Sequence, residues 1–309
     1  ILLNVLCLLF GSNISILKLQ KDLDPALFST LRFFVAFLPF TNLLWKAKDN
    51  TRTLKAGLEL GVWGGAAYIT QAIALQTANS SQVSFLGALT VIIVPLLAVF
   101  SGREVKPITW FASLMALNGV RLLESSGSAV LTGDLWGIIS AVLFGIQIYR
   151  TECIVREKDM QGQCMSLVSL QLAMIAFMCA GWLGVSLCTD SSLDLGHELS
   201  NMSIPALIYT GLVTTSMSLW IEFTSLKAVS ATEAALIYTS EPLWGAAFSW
   251  LLLGERWGPT GWMGAACVVG ASVITQLGNA GGHDGDESDG AEGPEMAVPA
   301  DYDRSDRNQ

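Results

Sequence analysis

Three charged residues, Arg32, Glu222 and Glu241, lie well inside long apolar segments of the chain. A charge at the centre of a membrane helix costs about 2.5–3.5 kcal/mol on insertion scales, so such residues usually face protein or water. Pro242 follows Glu241 and has no N–H group to donate to the carbonyl of Tyr238. The sequence therefore predicts a site for substrate or a proton around Tyr238 and Glu241, which lie three residues apart on one helical face. The alternative is a glutamate that only fixes helix packing, beside a proline that bends the helix.

Polar side chains accompany the other two charges. Glu222 lies on a helical stripe with Thr215, Ser218 and Ser225, at spacings of three, four and three residues. Such a stripe either lines a pore or forms hydrogen bonds between helices, and Ser218 is one of the candidate site residues. Arg32 either pairs with a glutamate or attracts an anionic substrate, and we expect the pairing.

The composition is that of a membrane protein. Hydrophobic residues make up 52% of the 309 residues and charged residues 14%, whereas soluble domains carry about 25% charged residues. A membrane-spanning helix needs about 20 apolar residues. Ten such segments lie at roughly 1–18, 25–45, 56–77, 82–101, 107–123, 132–150, 165–188, 205–226, 232–253 and 258–277. We therefore predict an all-α, polytopic membrane protein of ten transmembrane helices.

The ten segments form two related sets of five. The stretches FGSNI and FGIQI match each other and place Asn13 opposite Gln147, and a constant offset of 151 residues pairs Gln71 with Glu222. Five is an odd number, so the second set enters the membrane from the opposite face, as in the inverted repeats of many secondary transporters. Asn13, Gln147 and Gln71 are therefore candidates for lining a cavity between the two sets.

Three regions are predicted: a first five-helix repeat at 1–125, a second at 126–278, and a disordered acidic tail at 279–309. The tail holds nine Asp and Glu residues against two Arg residues, a composition typical of disorder. The remainder is nearly neutral, so the chain has no basic surface for nucleic acid. Only two His residues and no Cys-x-x-Cys pair occur, so neither a metal site nor a cofactor is predicted.

The Lys and Arg residues of the connections are distributed unequally. Ten of them, including Arg103 and Arg156, fall on one predicted side of the membrane, and four fall on the other. Cytoplasmic loops carry an excess of Lys and Arg. The ten-charge side is therefore predicted to face the cytosol, or the stroma of a plastid.

Several motifs resemble those of EamA-type members of the drug/metabolite transporter superfamily. They are LLFGSNISILK and LRFFVAF in the first two segments, EAALIYTSEPLWGAAFSWLLLGERW in the ninth and GWMGAACVVGASVI in the tenth. The family's Glu-Pro pair falls on Glu241 and Pro242, whereas the first half has Val94 and Pro95. The resemblance implies a ten-helix carrier of small metabolites. We expect Pro95 and Pro242 to break their helices.

The sequence therefore predicts a secondary transporter of a small organic metabolite that works by alternating access. Coupling to protons is one mechanism, because a glutamic acid that faces each side in turn can carry a proton. Two alternatives stay open: a receptor or assembly protein that transports nothing, and a membrane-embedded enzyme acting on a lipid-soluble substrate. We find no catalytic cluster, so no enzymatic activity is expected.

The expected partners are a small-molecule substrate and the lipid bilayer, and the oligomeric state is left open. We predict an integral, multi-pass membrane protein. Similar chloroplast members of the family favour a plastid membrane, with the plasma membrane or another endomembrane as the alternatives.

Overall fold

The computed structural model describes residues 2–20, 23–47, 50–77, 83, 86–123, 132–160, 162–189, 195–253 and 258–283. The regular structure in this part of the chain is entirely helical, without a strand. The all-α prediction is therefore confirmed. The predicted boundary between residues 125 and 126, and the predicted tail from residue 284 onward, lie outside the described residues.

The helices are distributed over both halves of the chain. Those of the first half are α1 (Leu2–Leu19), α2 (Pro25–Phe37), α3 (Thr41–Ala47), α4 (Thr51–Thr77), α5 (Thr90–Phe100) and α6 (Pro107–Leu123). Those of the second half are α7 (Thr132–Val155), α8 (Cys164–Thr189), α9 (Leu195–Asn201), α10 (Ile204–Ile208), α11 (Ser218–Ser225), α12 (Ala231–Tyr238), α13 (Glu241–Leu253) and α14 (Pro259–His283). Short 3-10 helices occupy Leu38–Phe40 and Lys158–Met160, and a π-helix occupies Tyr209–Met217.

Four stretches of the described residues are long and apolar enough to cross a membrane. They are Pro25–Leu44, Leu135–Val155, Cys164–Thr189 and Ile204–Ser225. Shorter apolar helices occupy Leu2–Asn13, Thr90–Phe100 and Trp262–Ala271. The total of ten spanning helices stays a prediction. The last helix, α14, continues to His283, so helical structure extends five residues into the region predicted as a tail.

Prolines lie at the starts of four helices. Pro25, Pro107 and Pro259 are the first residues of α2, α6 and α14, and Pro205 is the second residue of α10. The first turn of a helix has no intrahelical partner for its N–H groups, so a proline loses no hydrogen bond there. The sequence signal for these helix starts is confirmed.

The ninth apolar segment is interrupted, and the break lies two to three residues before Pro242, the residue at which the sequence predicted it. Helix α12 ends at Tyr238, Thr239 and Ser240 form a turn, and α13 begins at Glu241. Pro242 therefore lies in the first turn of a new helix, where its missing N–H is harmless. The prediction that Tyr238 and Glu241 share one face of a single helix was wrong.

Pro95 does not break its helix, contrary to the sequence-based expectation. It is buried inside α5, which runs without interruption from Thr90 to Phe100. Membrane helices tolerate the loss of one backbone hydrogen bond when neighbouring groups compensate for it. The interruption in this region lies at Ala88 and Leu89, directly before α5.

Glycines allow α4 and α8 to pack closely. A Cβ atom at Gly57 would lie 2.5 Å from the Cβ of Leu170, and one at Gly61 would collide with Met174. Small residues along one face of a membrane helix permit this approach of two backbones. The four-residue spacing of these glycines therefore marks a packing surface between the two halves of the chain.

The π-helix is stabilised by its own hydroxyl groups. Thr215 Oγ1 donates a hydrogen bond to the carbonyl of Thr210 at 2.7 Å, and Ser216 Oγ lies 3.2 Å from that of Gly211, the weaker of its two acceptors. Both of these carbonyls lie five residues earlier, which is the spacing of a π-helix. Ser and Thr side chains commonly bond to the preceding helical turn. Here they support a widened helix that α-helical periodicity does not predict.

Candidate functional site

A polar cavity of about 100 Å³ lies between helices of both halves of the chain. It contains seven of the eight residues that the sequence singled out and one of the two prolines. They are Asn13, Arg32, Gln71, Gln147, Glu222, Tyr238, Glu241 and Pro242. The fold thus brings together residues from seven helices, while their roles in binding stay predictions.

Ser218 and Pro95 do not line this cavity. Ser218 is buried, and its hydroxyl lies 3.5 Å from the carbonyl oxygen of Val213. The predicted polar stripe assumed α-helical spacing between Thr215 and Ser218. The π-helix ends directly before Ser218 and changes the angle between the two side chains.

Glu222 lies next to an oriented amide. Gln147 Nε2 lies 3.5 Å from Glu222 Oε1 and 3.2 Å from Thr151 Oγ1. Thr151 Oγ1 donates its own hydrogen to the backbone carbonyl of Gln147 at 2.8 Å, so its lone pairs accept from the amide. Because Nε2 is the donor in both contacts, the amide nitrogen of Gln147 is directed toward the Glu222 carboxylate.

The break before α13 places two further groups at helix ends. Tyr238 is the last residue of α12, and Glu241 is the first residue of α13. The start of a helix favours a negative charge because the macrodipole is positive there. The Tyr238 hydroxyl is buried and has no hydrogen-bond partner among the residues that the structure describes. A buried unpaired hydroxyl beside a cavity is available to a substrate or a water molecule.

Arg32 forms no ion pair with a glutamate in the described part of the chain, contrary to the expected pairing. Its Nε donates to Thr215 Oγ1 at 2.9 Å. The guanidinium carbon lies 5.2 Å from the ring centre of Phe33 and 5.6 Å from that of Tyr68. The partner of Arg32 is therefore the hydroxyl of Thr215 and not a glutamate carboxylate. Thr215 belongs to the π-helix, and the sequence did not predict that helix.

Several lining residues were missed by sequence reasoning. They are Phe10, Tyr68, Gly87, Ala88, Thr90, Phe144 and Ile148. For Tyr68 a signal existed, because it lies three residues before Gln71 and side chains at this spacing share a helix face. The ring of Tyr68 packs against those of Phe33 and Phe144, with centroid distances of 4.8 and 4.9 Å.

The repeat offsets are the signal for other missed residues. Phe10 precedes Phe144 by 134 residues, the same offset as in the match between FGSNI and FGIQI. Thr90 precedes Glu241 by 151 residues, the offset that relates the later helices. Applying each offset to every residue of its segment pairs Phe10 with Phe144 and Thr90 with Glu241.

Comparison with known proteins identifies the class of this chain. The profile of the EamA-like transporter family matches residues 1–124 and 131–277. The chain belongs to this family. The EamA-like protein is therefore an integral membrane protein of a transporter class, as the motifs suggested.

Relatives agree with this assignment. An uncharacterized transporter of Archaeoglobus fulgidus is 24% identical over 285 residues, which are 89% of this chain and 84% of that protein. The uncharacterized transporter YwfM of Bacillus subtilis is 25% identical over 169 residues, or 54% of each chain. A solved crystal structure superposes with a TM-score of 0.66 over 89% of this chain and 96% of that chain. Its sequence identity of 16% shows a shared fold alone.

The EamA-like protein carries an ion-pair cluster at the ends of α5, α7 and α11. Glu152 is only 2% exposed, and its carboxylate oxygens lie 3.0 Å from Arg103 Nη1 and 3.1 Å from Arg156 Nη1. Arg156 Nε also donates to the carbonyl of Leu226 at 3.2 Å. We call these four residues the Glu152 cluster.

The polar cavity is the best candidate site in the EamA-like protein, although a larger groove exists. That groove, of about 500 Å³ between α3, α4 and α8, is lined only by apolar residues and offers nothing to orient a ligand. Ligand pockets usually measure about 300–1,000 Å³, so a cavity of about 100 Å³ holds only a few water molecules or a very small solute. A larger substrate requires the surrounding helices to move apart.

Among the described residues no group of three His, Cys, Asp or Glu could hold a metal ion.

Proposed function

We propose that this EamA-like protein is a secondary transporter that moves a small organic metabolite by alternating access, with the polar cavity as its substrate site. The observation that carries the proposal is that matched residues of the two halves line one cavity. Gly87 and Tyr238 are 151 residues apart, as are Thr90 and Glu241, and all four line it. A binding site on the boundary between two related halves is the arrangement that alternating access uses.

The two halves are two five-helix repeats, at 1–125 and 126–278, that enter the membrane in opposite directions. The turn at residues 88–89 and the turn at residues 239–240 support this repeat, because the same offset of 151 residues separates them. Each turn lies at the cavity and divides a helical region in two. Turns of this kind can act as hinges, because a few residues between helices absorb changes of backbone angles.

The substrate is neutral, zwitterionic or amphipathic. The cavity presents one cation, Arg32, together with the carboxyl groups of Glu222 and Glu241 and several amides. A carrier of sugar phosphates would need several Lys or Arg residues to match the phosphate charge. The aromatic rings of Tyr68 and Phe144 supply apolar walls beside these polar groups.

Glu241 is the residue proposed to couple transport to protons. It lies at the start of α13, next to the turn at residues 239–240, so movement of that turn shifts its carboxyl group. Carrying a proton in one conformation and releasing it in the other links substrate movement to a pH gradient. Intramembrane carboxyl groups serve in this way in proton relays.

A transport assay tests the proposed function. The purified protein is placed in liposomes, and uptake of a labelled panel of neutral, zwitterionic and amphipathic metabolites is measured with and without a pH gradient. We expect at least one compound to cross faster than in protein-free liposomes, and the gradient to increase its accumulation. If no compound shows protein-dependent uptake or exchange in either direction, the transporter proposal is wrong.

The Glu152 cluster closes the cavity on the side rich in Lys and Arg. Gln147 lines the cavity, Thr151 lies one helical turn further along α7, and Glu152 follows it. Arg103 belongs to the first half of the chain and Glu152 to the second, so their ion pair crosses the proposed boundary between repeats. Opening on this side must separate the pair, because the ends of α5 and α7 have to move apart.

Neutralising the cluster is therefore expected to open this side. In a Thr151→Cys protein whose six native cysteines are replaced by serine, Glu152→Gln should increase the rate of maleimide labelling from the Lys- and Arg-rich side by about fivefold or more, since conformational couplings of about 1–3 kcal/mol correspond to such factors. Glu59→Gln is the matched control, because it breaks another ion pair between the halves, that of Glu59 on α4 with Arg150 at 2.6 Å, which does not involve the end of α5. Equal labelling rates in the two variants would show that the Glu152 cluster does not close the cavity.

A further inference from the structure

We infer that Arg32 binds the carboxylate group of the transported substrate, so that the substrate is a small organic carboxylate. The inference rests on the proposed transport function and narrows its substrate class to those zwitterionic or amphipathic compounds that carry a carboxylate. The substrate carboxylate would take the place of the glutamate that the sequence predicted as the partner of Arg32.

Arg32 is a buried cation without a protein counter-ion in the described part of the chain. Its side chain is 5% exposed and lines the polar cavity. The carboxyl groups of Glu222 and Glu241 line the same cavity, but neither lies within ion-pairing distance of the guanidinium. A buried charge that lacks a partner is costly. An anion that enters the cavity would supply the missing partner.

Among the residues that the structure describes, the two terminal nitrogens of the guanidinium group have no hydrogen-bond partner and can receive such an anion. Its Nε–H is taken by Thr215 Oγ1 at 2.9 Å, which leaves the N–H groups of Nη1 and Nη2. These groups form a planar fork that fits the two oxygens of a carboxylate. The rings of Phe33 and Tyr68, at 5.2 and 5.6 Å, flank the group and restrict its rotation.

The π-helix fixes the position of Arg32. Thr215 Oγ1 donates to the carbonyl of Thr210 at 2.7 Å, so its lone pairs are available to accept from Arg32. The neighbouring Ser216 Oγ donates to the carbonyl of Ala36 on α2 at 2.6 Å. Two adjacent residues of the π-helix therefore bind Arg32 and Ala36, which are one helical turn apart on α2. These contacts prevent the arginine side chain from rotating toward another partner.

The other groups of the cavity select within the class of carboxylates. A single arginine matches one carboxylate better than the double charge of a phosphate ester. Glu222 and Glu241 come from the second half of the chain, whereas Arg32 comes from the first. A substrate that carries a hydrogen-bond donor or an ammonium group beside its carboxylate would therefore contact both halves.

Matched probe pairs test the inference without measuring transport. The full-length protein in detergent is titrated with lactate against lactamide and with benzoate against benzamide, and the shift of its melting temperature is recorded. We expect the carboxylates to stabilise the wild type and the amides to have no effect. Arg32→Gln should abolish the shift, and Arg32→Lys should raise the apparent Kd at least about tenfold, since lysine keeps the charge but cannot make the two parallel hydrogen bonds of the guanidinium fork.

A second variant keeps the test decisive if Arg32→Gln does not fold. Thr215→Val keeps the charge of Arg32 and removes only its acceptor, so we expect a several-fold higher Kd for the carboxylates. Equal stabilisation by carboxylates and amides, no stabilisation by either, or an unchanged Kd in Arg32→Lys and Thr215→Val would overturn the inference.

The outcome is distinct from that of the transport assay. If carboxylates bind through Arg32 but no compound crosses the membrane, the proposed function fails and the binding site stands. If a compound without a carboxylate is transported equally by the wild type and by Arg32→Lys, transport stands and the carboxylate site fails.

Discussion

Transport by the Glu241→Gln variant is expected to lose its response to a pH gradient. Glutamine keeps the size and hydrogen-bonding groups of the side chain but cannot take up a proton. A gradient of one pH unit is worth about 1.4 kcal/mol and supports up to about tenfold accumulation of a substrate that moves with one proton. Liposomes with the variant should therefore bring the labelled substrate only to equal concentrations inside and outside.

The same substitution at Glu222 provides the comparison. Glu222 accepts a hydrogen bond from Gln147 at 3.5 Å, and its counterpart in the first half, Gln71, is already an amide. We expect Glu222→Gln to lower the rate of uptake and to retain the response to the gradient. A response that persists in Glu241→Gln and disappears in Glu222→Gln would assign the coupling to Glu222 instead.

The second large effect is expected from Gly11→Ala, because Gly11 contacts the backbone of α13. A Cβ atom there would lie 2.7 Å from the backbone nitrogen of Gly245 and 2.7 Å from the Cβ of Trp244. Neither atom is the end of a flexible side chain, so α1 and α13 must separate. Overpacking of this kind costs about 1–3 kcal/mol. The variant should melt at a lower temperature in detergent and transport more slowly, since Phe10 beside it lines the cavity.

Gly184→Ala is the matched control for this measurement. Gly184 lies in α8, and no atom would come within 4 Å of a Cβ placed on it. Alanine has the higher helix propensity, by up to about 1 kcal/mol, so the control should be neutral or slightly more stable. If Gly11→Ala melts at the temperature of the control, α1 and α13 do not pack as the structure places them.

The candidate site could be predicted from the sequence to a large extent. Arg32, Glu222 and Glu241 were found because a charge in an apolar segment is costly wherever the helix lies, so its presence alone predicts an interior position. Asn13 and Gln147 were found because the repeat places them at matching positions. Neither the cost of a charge nor the repeat depends on which helices are neighbours.

The partners of these residues could not be predicted. Arg32 and Thr215 are 183 residues apart, and their contact depends on how α2 packs against the π-helix. Such pairings follow from the three-dimensional arrangement of helices and leave no periodic signal in the chain. The Glu152 cluster was missed for the same reason, because Arg103 and Glu152 belong to different halves.

The positions of the helix breaks were predicted wrongly for a different reason. The sequence predicted breaks at Pro95 and Pro242, because proline lacks an N–H group. The structure instead places turns at 88–89 and 239–240, and Pro242 only occupies the first turn of the helix that follows. A proline signals where a hydrogen bond is missing, whereas packing decides where the chain actually turns.

The sequence by itself determined the helical class, the insertion of the chain into a membrane and most of the polar residues that line the cavity. These properties follow from the length of the apolar segments and from the free-energy cost of a charge within them. Both can be read from one segment without knowing which other segments it packs against. Only the tertiary structure decided the π-helix, the turn before Glu241, the hydroxyl partner of Arg32 and the ion pairs around Glu152. Each of these depends on which groups of distant segments come within hydrogen-bonding distance, and that is settled only when the helices pack together.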